Sequence, residues 1–191
     1  MKSEGRKQWV AVFVIGRDRP GIVANVSRVL YGNRFNIEEL SQTTIRGQFA
    51  MILIASTGRD GEVPLLKSSM QELAQDLGLD IHLKEIREED LSPFQAGEAE
   101  PFILTVRGED RPGLAYGITE ILAEREINIS NLAARVALVS QKSEYLQVFE
   151  VDIPKKLDCA LIQEKLRQRG REMGVSVDLQ HRDIFRAINQ I

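Results

Sequence analysis

The 191-residue sequence predicts an α+β fold built twice, each half an antiparallel four-stranded sheet with two helices on one face. Three observations predict it. First, "IGRDRPGIVANVSRVLYGNRFNIEEL", beginning at Ile15, returns as "RGEDRPGLAYGITEILAEREINISNL", beginning at Arg107, at a constant separation of 92 residues. Second, ten of the thirty-two positions from Val10 to Ser41 are identical in the later copy, Gly16, Asp18, Arg19, Pro20, Gly21, Asn36 and Ile37 among them. Third, the apolar period switches in the same order in both copies: strand, helix, strand, strand, helix, strand. A fixed internal period sets the architecture before any single element is assigned.

The elements follow in order. "WVAVFVIG" is a continuous, β-branched-rich apolar run, which predicts a strand buried on both faces. After Pro20, the apolar residues Ile22, Val23, Val26, Val29 and Leu30 recur at one-face helical spacing, as do Leu114, Ile118, Ile121 and Leu122 in the second copy. Proline suits a first helical position, because its φ is already set and no donor is needed there. "FNIEELSQTTI" and "FAMILIAS" read as two strands joined at Arg46-Gly47, matched by strands at about 128–138 and 144–152. Alternation slips by one residue between Ile37 and Leu40, and again between Ile129 and Leu132, which predicts a β-bulge at Glu38-Glu39 and at Ser130-Asn131. A second helix carries Leu66, Met70, Leu73 and Leu77 and stops at Gly78; its counterpart carries Leu161, Ile162, Leu166 and Met173 and stops at Gly174. The closing strands alternate through Leu79, Ile81 and Leu83, and through Val175, Val177 and Leu179. Their separation has grown to 96, and the hairpin "LVSQKSEY" is the place for the four extra residues.

This order, taken twice, is the ferredoxin-like arrangement. It gives a first domain over 8–87, an acidic Pro- and Gly-containing linker over 88–100, a second domain over 101–182 and a tail over 183–191. Ile184, Phe185, Ile188 and Ile191 place the tail as a short packing helix. A sheet with helices on one side only leaves its other face and its edges to be covered by a second copy, beside it or face to face.

Composition narrows the function. Hydrophobic residues make up 43% and charged residues 28%, an ordinary soluble balance, and a net charge of −3 gives no excess for a phosphate backbone. Direct nucleic-acid binding is therefore not expected. The single cysteine, Cys159, excludes an intrachain disulfide and a cysteine metal cluster, and reads as a packing thiol near a helix start. His82 and His181 do not correspond under the repeat and read as surface or edge histidines. The basic start before "WVAVFVIG" imitates a short signal peptide, but "FILTVRG" holds the same place in mid-chain, so both runs read as strands. No run reaches the roughly 18 apolar residues of a membrane helix, so a soluble, cytoplasmic protein with no membrane partner is expected.

The repeated turn carries the candidate chemistry. It stands between a strand and the start of a helix, where backbone N–H groups and the helix dipole favour a carboxylate or phosphate. Gly21 and Gly113 let a ligand approach closely. Asp18 and Asp110 either cap the helix or face a ligand ammonium. Asn36 and Asn128, each followed by isoleucine, offer a donor and an acceptor at the start of the next strand. Neither a dinucleotide fingerprint nor a P-loop is present. No nucleophile, general base and orienting group recur at matched places, so catalysis is not expected.

Two such units, each with Gly-x-Asp-Arg-Pro-Gly followed by Ile22 or Leu114 and then by Asn-Ile, resemble the ACT domain family from about Gln8 to His181. The tandem form without a catalytic domain is similar to the transcriptional repressors of the glycine cleavage system. The resemblance implies a regulatory protein, with no cofactor and no metal, that binds a small ligand, usually an amino acid, between two ACT units. It implies that the turns at Asp18, Arg19, Pro20 and Gly21 and at Asp110, Arg111, Pro112 and Gly113 face that ligand. It implies that Asn36, Ile37, Asn128 and Ile129 approach from a paired unit. A homodimer and a protein partner such as a transcriptional regulator complete the expectation.

Overall fold

A computed structural model describes residues 7–58, 62–92, 97–139 and 142–188. The chain divides into two compact units, Met1–Pro93 and Phe94–Ile191. In the first, β1 (Gln8–Arg17), α1 (Ile22–Gly32), β2 (Asn36–Ile45), β3 (Gln48–Thr57), α2 (Glu62–Leu77) and β4 (Asp80–Ile86) form an antiparallel sheet in the order β2-β3-β1-β4. One 3-10 turn follows at Glu88–Leu91. The second unit repeats the plan with β5 (Ala99–Glu109), α3 (Leu114–Ala123), β6 (Asn128–Val139), β7 (Lys142–Pro154), α4 (Cys159–Glu172) and β8 (Val175–His181), in the order β6-β7-β5-β8. A short helix, α5 (Arg182–Ile188), closes the described chain. Its Ile184 is exposed and its Phe185 half-buried, while the Ile188 side chain and Ile191 lie outside the described residues.

Each core lies between the sheet and its helices. Val10, Val12 and Val14 of β1 meet Ile22, Val26 and Leu30 of α1 and Leu66, Met70 and Leu73 of α2, all buried. In the second unit Leu104 and Val106 meet Leu114, Ile118 and Leu122 of α3 and Ile162 and Leu166 of α4. Left-handed Gly78 and Gly174 end α2 and α4, at φ +55 and +69. The bulges fall where the alternation slips: the β2–β3 register shifts between Ile37 and Glu39, and the β6–β7 register between Ile129 and Asn131. The longer second hairpin adds two rungs, Leu138 opposite Ser143 and Val139 opposite Lys142, with residues 140 and 141 outside the described part.

Three expectations change. The first strand is not buried on both faces along its length: on the side away from the helices Ala11 is buried, but Phe13 is half-buried and Ile15 is 53% exposed. A run of β-branched residues shows that a strand has two apolar sides without showing what lies against each. Leu161 is not on the inner face of α4. That stripe runs through Ile162, Leu166 and Gly170, and Leu161 points outward at 56% exposure. Gly170 belongs to the stripe because a Cβ there would stand 2.5 Å from Val177 Cγ2 and 2.9 Å from the Val175 carbonyl oxygen. The third change concerns the helix starts, and it bears on the site.

Candidate functional site

Pro20 and Pro112 are not the first helical residues. Gly21 and Gly113 follow them as N-caps with left-handed φ of +95 and +93, and α1 and α3 begin one residue later. Only glycine adopts that conformation without strain, which explains its place in both turns. Asp18 and Asp110 do not cap: neither helix has a side-chain cap hydrogen bond, so no side chain satisfies the first-turn N–H groups at these N-caps. Space beside the turn differs between copies. A Cβ on Gly21 would stand 3.4 Å from Asn25 Nδ2, whereas one on Gly113 would meet nothing within 4 Å.

The other turn residues hold the corner in place. The Asp18 N–H donates to the Gly47 carbonyl at 2.9 Å, tying the turn to the β2–β3 hairpin. The Arg19 guanidinium donates to the carbonyl of Leu77, the last residue of α2, so a cation satisfies a helix C-terminus. Arg111 lies in the corresponding place, about 3.7 Å from where a Gly174 Cβ would be, and donates to Glu109 at 2.8 Å. Gly16 and Gly108 precede the turns where the next strand crosses closely; a Cβ on Gly108 would stand 2.6 Å from Val175 Cγ1 and 3.1 Å from its Cα.

Asn36 and Asn128 sit elsewhere. Asn36 pairs with Ser56 and thus with the level of Trp9, while Asp18 follows Arg17 at the opposite end of β1. Eight residues of strand separate the two levels, about 26 Å at roughly 3.3 Å per residue. The second unit has the same spacing, from the Pro101–Asp152–Asn128 level to Asp110. One unit therefore does not bring its own turn and its own asparagine together. Ile37 and Ile129 are half-buried against their cores, so their role inside each unit is packing.

At the asparagine end, a depression of about 510 Å³ is lined by Tyr31, Gly32, Arg34, Phe35 and Asn36. Beside it the Glu38 carboxylate accepts from the Ser56 hydroxyl at 2.5 Å and from Lys7 Nζ at 3.0 Å. The Ser56 bond foremost, then Lys7 and Asn36, hold its pKa down to about 2 from an ordinary 4.5. The second unit exchanges the partners across the strand pair. Serine stands at the bulge as Ser130, the acid stands on the neighbouring strand as Asp152, and Asn128 Nδ2 donates to Asp152 at 3.2 Å. Sequence reasoning missed this acid–hydroxyl exchange, although the alternation slip already marked Glu38 and Ser130 as bulge residues. It also missed Arg34 and Tyr31, which the period of α1 places past its last buried turn.

The remaining candidates are quiet. Cys159 begins α4, but burial, with Glu100 and Asp158 adding to it, pushes its thiol up from the ordinary 9.0, away from the thiolate. Its neighbour Asp158 is a true N-cap, accepting from Ala160 and Leu161 at 2.9 and 3.3 Å. His82 lies against Phe13, with ring centroids 6.1 Å apart, and His181 against Phe102, at 5.2 Å. Among the described residues no three His, Cys, Asp or Glu are grouped to hold a metal ion, and no helix is long and apolar enough to cross a membrane.

Comparison with known proteins fits this picture of two units of one kind. Curated relatives match about one unit of this chain. A UPF0237 protein of Methanopyrus kandleri is 44% identical over 71 residues, 37% of this chain and 79% of that protein. Another from Methanocaldococcus jannaschii is 33% identical over 90 residues, 47% and 96% of the two chains. Solved structures match the tandem. An unknown protein from Galdieria sulphuraria superposes with a TM-score of 0.75 and 27% identity, over 92% of this chain and 99% of that one. A candidate glycine cleavage system transcriptional repressor superposes at 0.67 with 20% identity, over 91% and 96%, and shares the fold. The family match falls on residues 8–84 and 100–180, one on each unit, and the chain belongs to the ACT domain family, with two ACT domains in tandem.

Proposed function

We propose that this chain is a non-catalytic regulatory protein that binds a small ligand, an amino acid first among candidates, at interfaces between ACT domains. The bound ligand modulates a protein partner such as a transcriptional regulator. The observation that carries this reading is the pair of helix starts at Gly21 and Gly113, each without a side-chain cap. First-turn N–H groups with no side-chain cap, at a positive helix end, match a ligand carboxylate. The ammonium and side chain are then read by Asp18 or Asp110 and by an asparagine. With turn and asparagine about 26 Å apart in one domain, that asparagine comes from a second domain, paired antiparallel along the exposed β2 or β6 edge. Such pairing makes the ligand a clamp between domains, and it shifts their arrangement by its differential affinity for the paired state.

A second reading, an interaction subunit with no small-molecule ligand, is favoured by one feature: the asparagine amides are already engaged by carboxylates, Asn36 with Glu38 and Asn128 with Asp152. A thermal-shift screen against the twenty amino acids and related small acids separates the two. A ligand at about a hundred times its Kd contributes roughly 2.7 kcal/mol, a midpoint rise of about 5–10 °C for a chain of this size. The first reading expects one clear responder, lost in the double variant Asn36→Ala, Asn128→Ala. A flat screen leaves the interaction subunit.

A further inference from the structure

We infer that the open face of the first sheet is the contact surface of a homodimer, seated on the same face of a second copy of this chain. The inference does not depend on the ligand reading, which uses the sheet edges and the turns. It begins from a contrast between the two domains. The side of the first sheet away from its helices carries Trp9, Phe13, Ile15, Ile52 and Ile54; Ile15 and Ile52 are 53% and 52% exposed, while Ala11 and Ser56 toward the Trp9 end are 5% and 3% exposed. The corresponding side of the second sheet mixes Thr105, Arg107, Glu150 and Asp178 with Ile103, Leu146 and Val148, and its Ile103 is only 5% exposed. The first face thus exposes isoleucine at the places where the second carries Arg107 and Val148. Half-exposed isoleucines on a flat strand surface are a liability unless something covers them.

The cross-strand rows say what covers them. One row reads Lys84, Ala11, Ile54, Glu39 across β4, β1, β3 and β2. The next reads His82, Phe13, Ile52, Ser41, and the third Asp80, Ile15, Ala50, Thr43. Facing sheets related by a two-fold axis meet in one of two ways. With the axis parallel to the strands, β1 lies over the partner's β3 and each row meets itself. Small then faces large, Ala11 on Ile54 and Ala50 on Ile15, and Lys84 meets Glu39. With the axis perpendicular to the strands, each strand lies over its own copy and the outer rows exchange. Ala11 then meets Ile15, Ala50 meets Ile54, and Lys84 meets Asp80. Either way the face is complementary to itself in size and in charge. The second sheet, with Arg107 at the place of Ile15 and Glu150 at that of Ile54, has no such match.

The test uses the full chain. Sedimentation equilibrium at micromolar concentration is expected to give twice the 21.5 kDa chain mass. Ile52→Asp places a charge in the apolar centre and is expected to weaken the dimer by about 100-fold or more, with the circular dichroism spectrum and thermal unfolding of each domain retained. Val148→Asp, its counterpart on the second sheet, is expected to leave the mass unchanged. Lys84→Glu, at an exposed position, is expected to weaken the dimer. Adding Glu39→Lys restores it for the parallel axis, and adding Asp80→Lys restores it for the perpendicular one. A monomeric wild-type chain, as when the face is covered by the chain's own second domain, overturns the inference. So does a dimer indifferent to Ile52→Asp, or one weakened by Lys84→Glu that neither second substitution restores.

Discussion

Met51 and Gln147 occupy equivalent places on the central strands β3 and β7, both facing the helices and both buried, at 1% and 0% exposure. The first is a thioether that fills its core; the second is an amide whose nitrogen and oxygen both lack a hydrogen-bond partner. A buried amide left unpaired is destabilising by about 1–3 kcal/mol, and methionine has nearly the same length and flexibility. Gln147→Met is therefore expected to stabilise the second domain by roughly that amount, and Met51→Gln to destabilise the first similarly. Urea unfolding followed by a probe in each domain reads the two changes separately. Glu38 carries a second expectation at this scale. Its folded pKa lies below the ordinary value, so its contribution to stability is present above about pH 4.5 and is lost as pH falls toward about 2. Glu38→Gln should lower the unfolding temperature near neutral pH, and the gap from wild type should close across that window. A gap that stays constant with pH removes the carboxylate as its cause.

At the scale of the element, sequence period and local chemistry carried most of what the structure contains. The helix faces of α1 and α2, the glycines ending α2 and α4, and both bulges follow from spacing, because each is a short-range consequence of side-chain direction. What did not follow depends on neighbours distant in sequence. Of the two roles open to Asp18, a cap or a contact to a ligand ammonium, the cap is removed by the left-handed Gly21, which moves the helix start beyond it. Nor does the sequence show that the Arg19 guanidinium reaches the carbonyl of Leu77, 58 residues away. Leu161 looked inward because one residue of error in helical phase turns a side chain by about 100°. Gly170 shows the same lesson in energetic form. Within a helix, glycine to alanine ordinarily stabilises by about 0.8–1.0 kcal/mol. Here the new Cβ would lie 2.9 Å from the rigid Val175 carbonyl as well as 2.5 Å from a Val177 methyl. Overpacking of that kind destabilises by roughly 1–3 kcal/mol, so packing outweighs propensity. Gly170→Ala should lower the midpoint of the second domain, and a raised midpoint would show that α4 shifts freely away from β8.

For the whole molecule the repeat raises the question of whether two domains mean two equal sites. The turns are alike in sequence and conformation, with N-cap φ of +95 and +93. The asparagine ends are not alike. Asn36 shares its depression with Tyr31 and the cation Arg34, whereas the residues matching these are Ala123 and Glu126, the latter paired with Lys156 at 3.2 Å. A ligand carboxylate or other anionic group is favoured beside a guanidinium over a place where a carboxylate stands instead. On the proposed function, the stronger site is then the one completed by Asn36 with the turn of another domain. A hydrogen bond to a charged group contributes about 1.5–3 kcal/mol, which corresponds to roughly 10- to 100-fold in affinity. Asn36→Ala should therefore remove most of the thermal shift produced by the responding amino acid, while Asn128→Ala should leave more than half of it. Titration calorimetry on the two variants checks the same point through stoichiometry, with one strong site kept in Asn128→Ala and lost in Asn36→Ala. Equal losses would mean that Arg34 and Glu126 do not distinguish the two ends and that the duplication has preserved two equivalent sites.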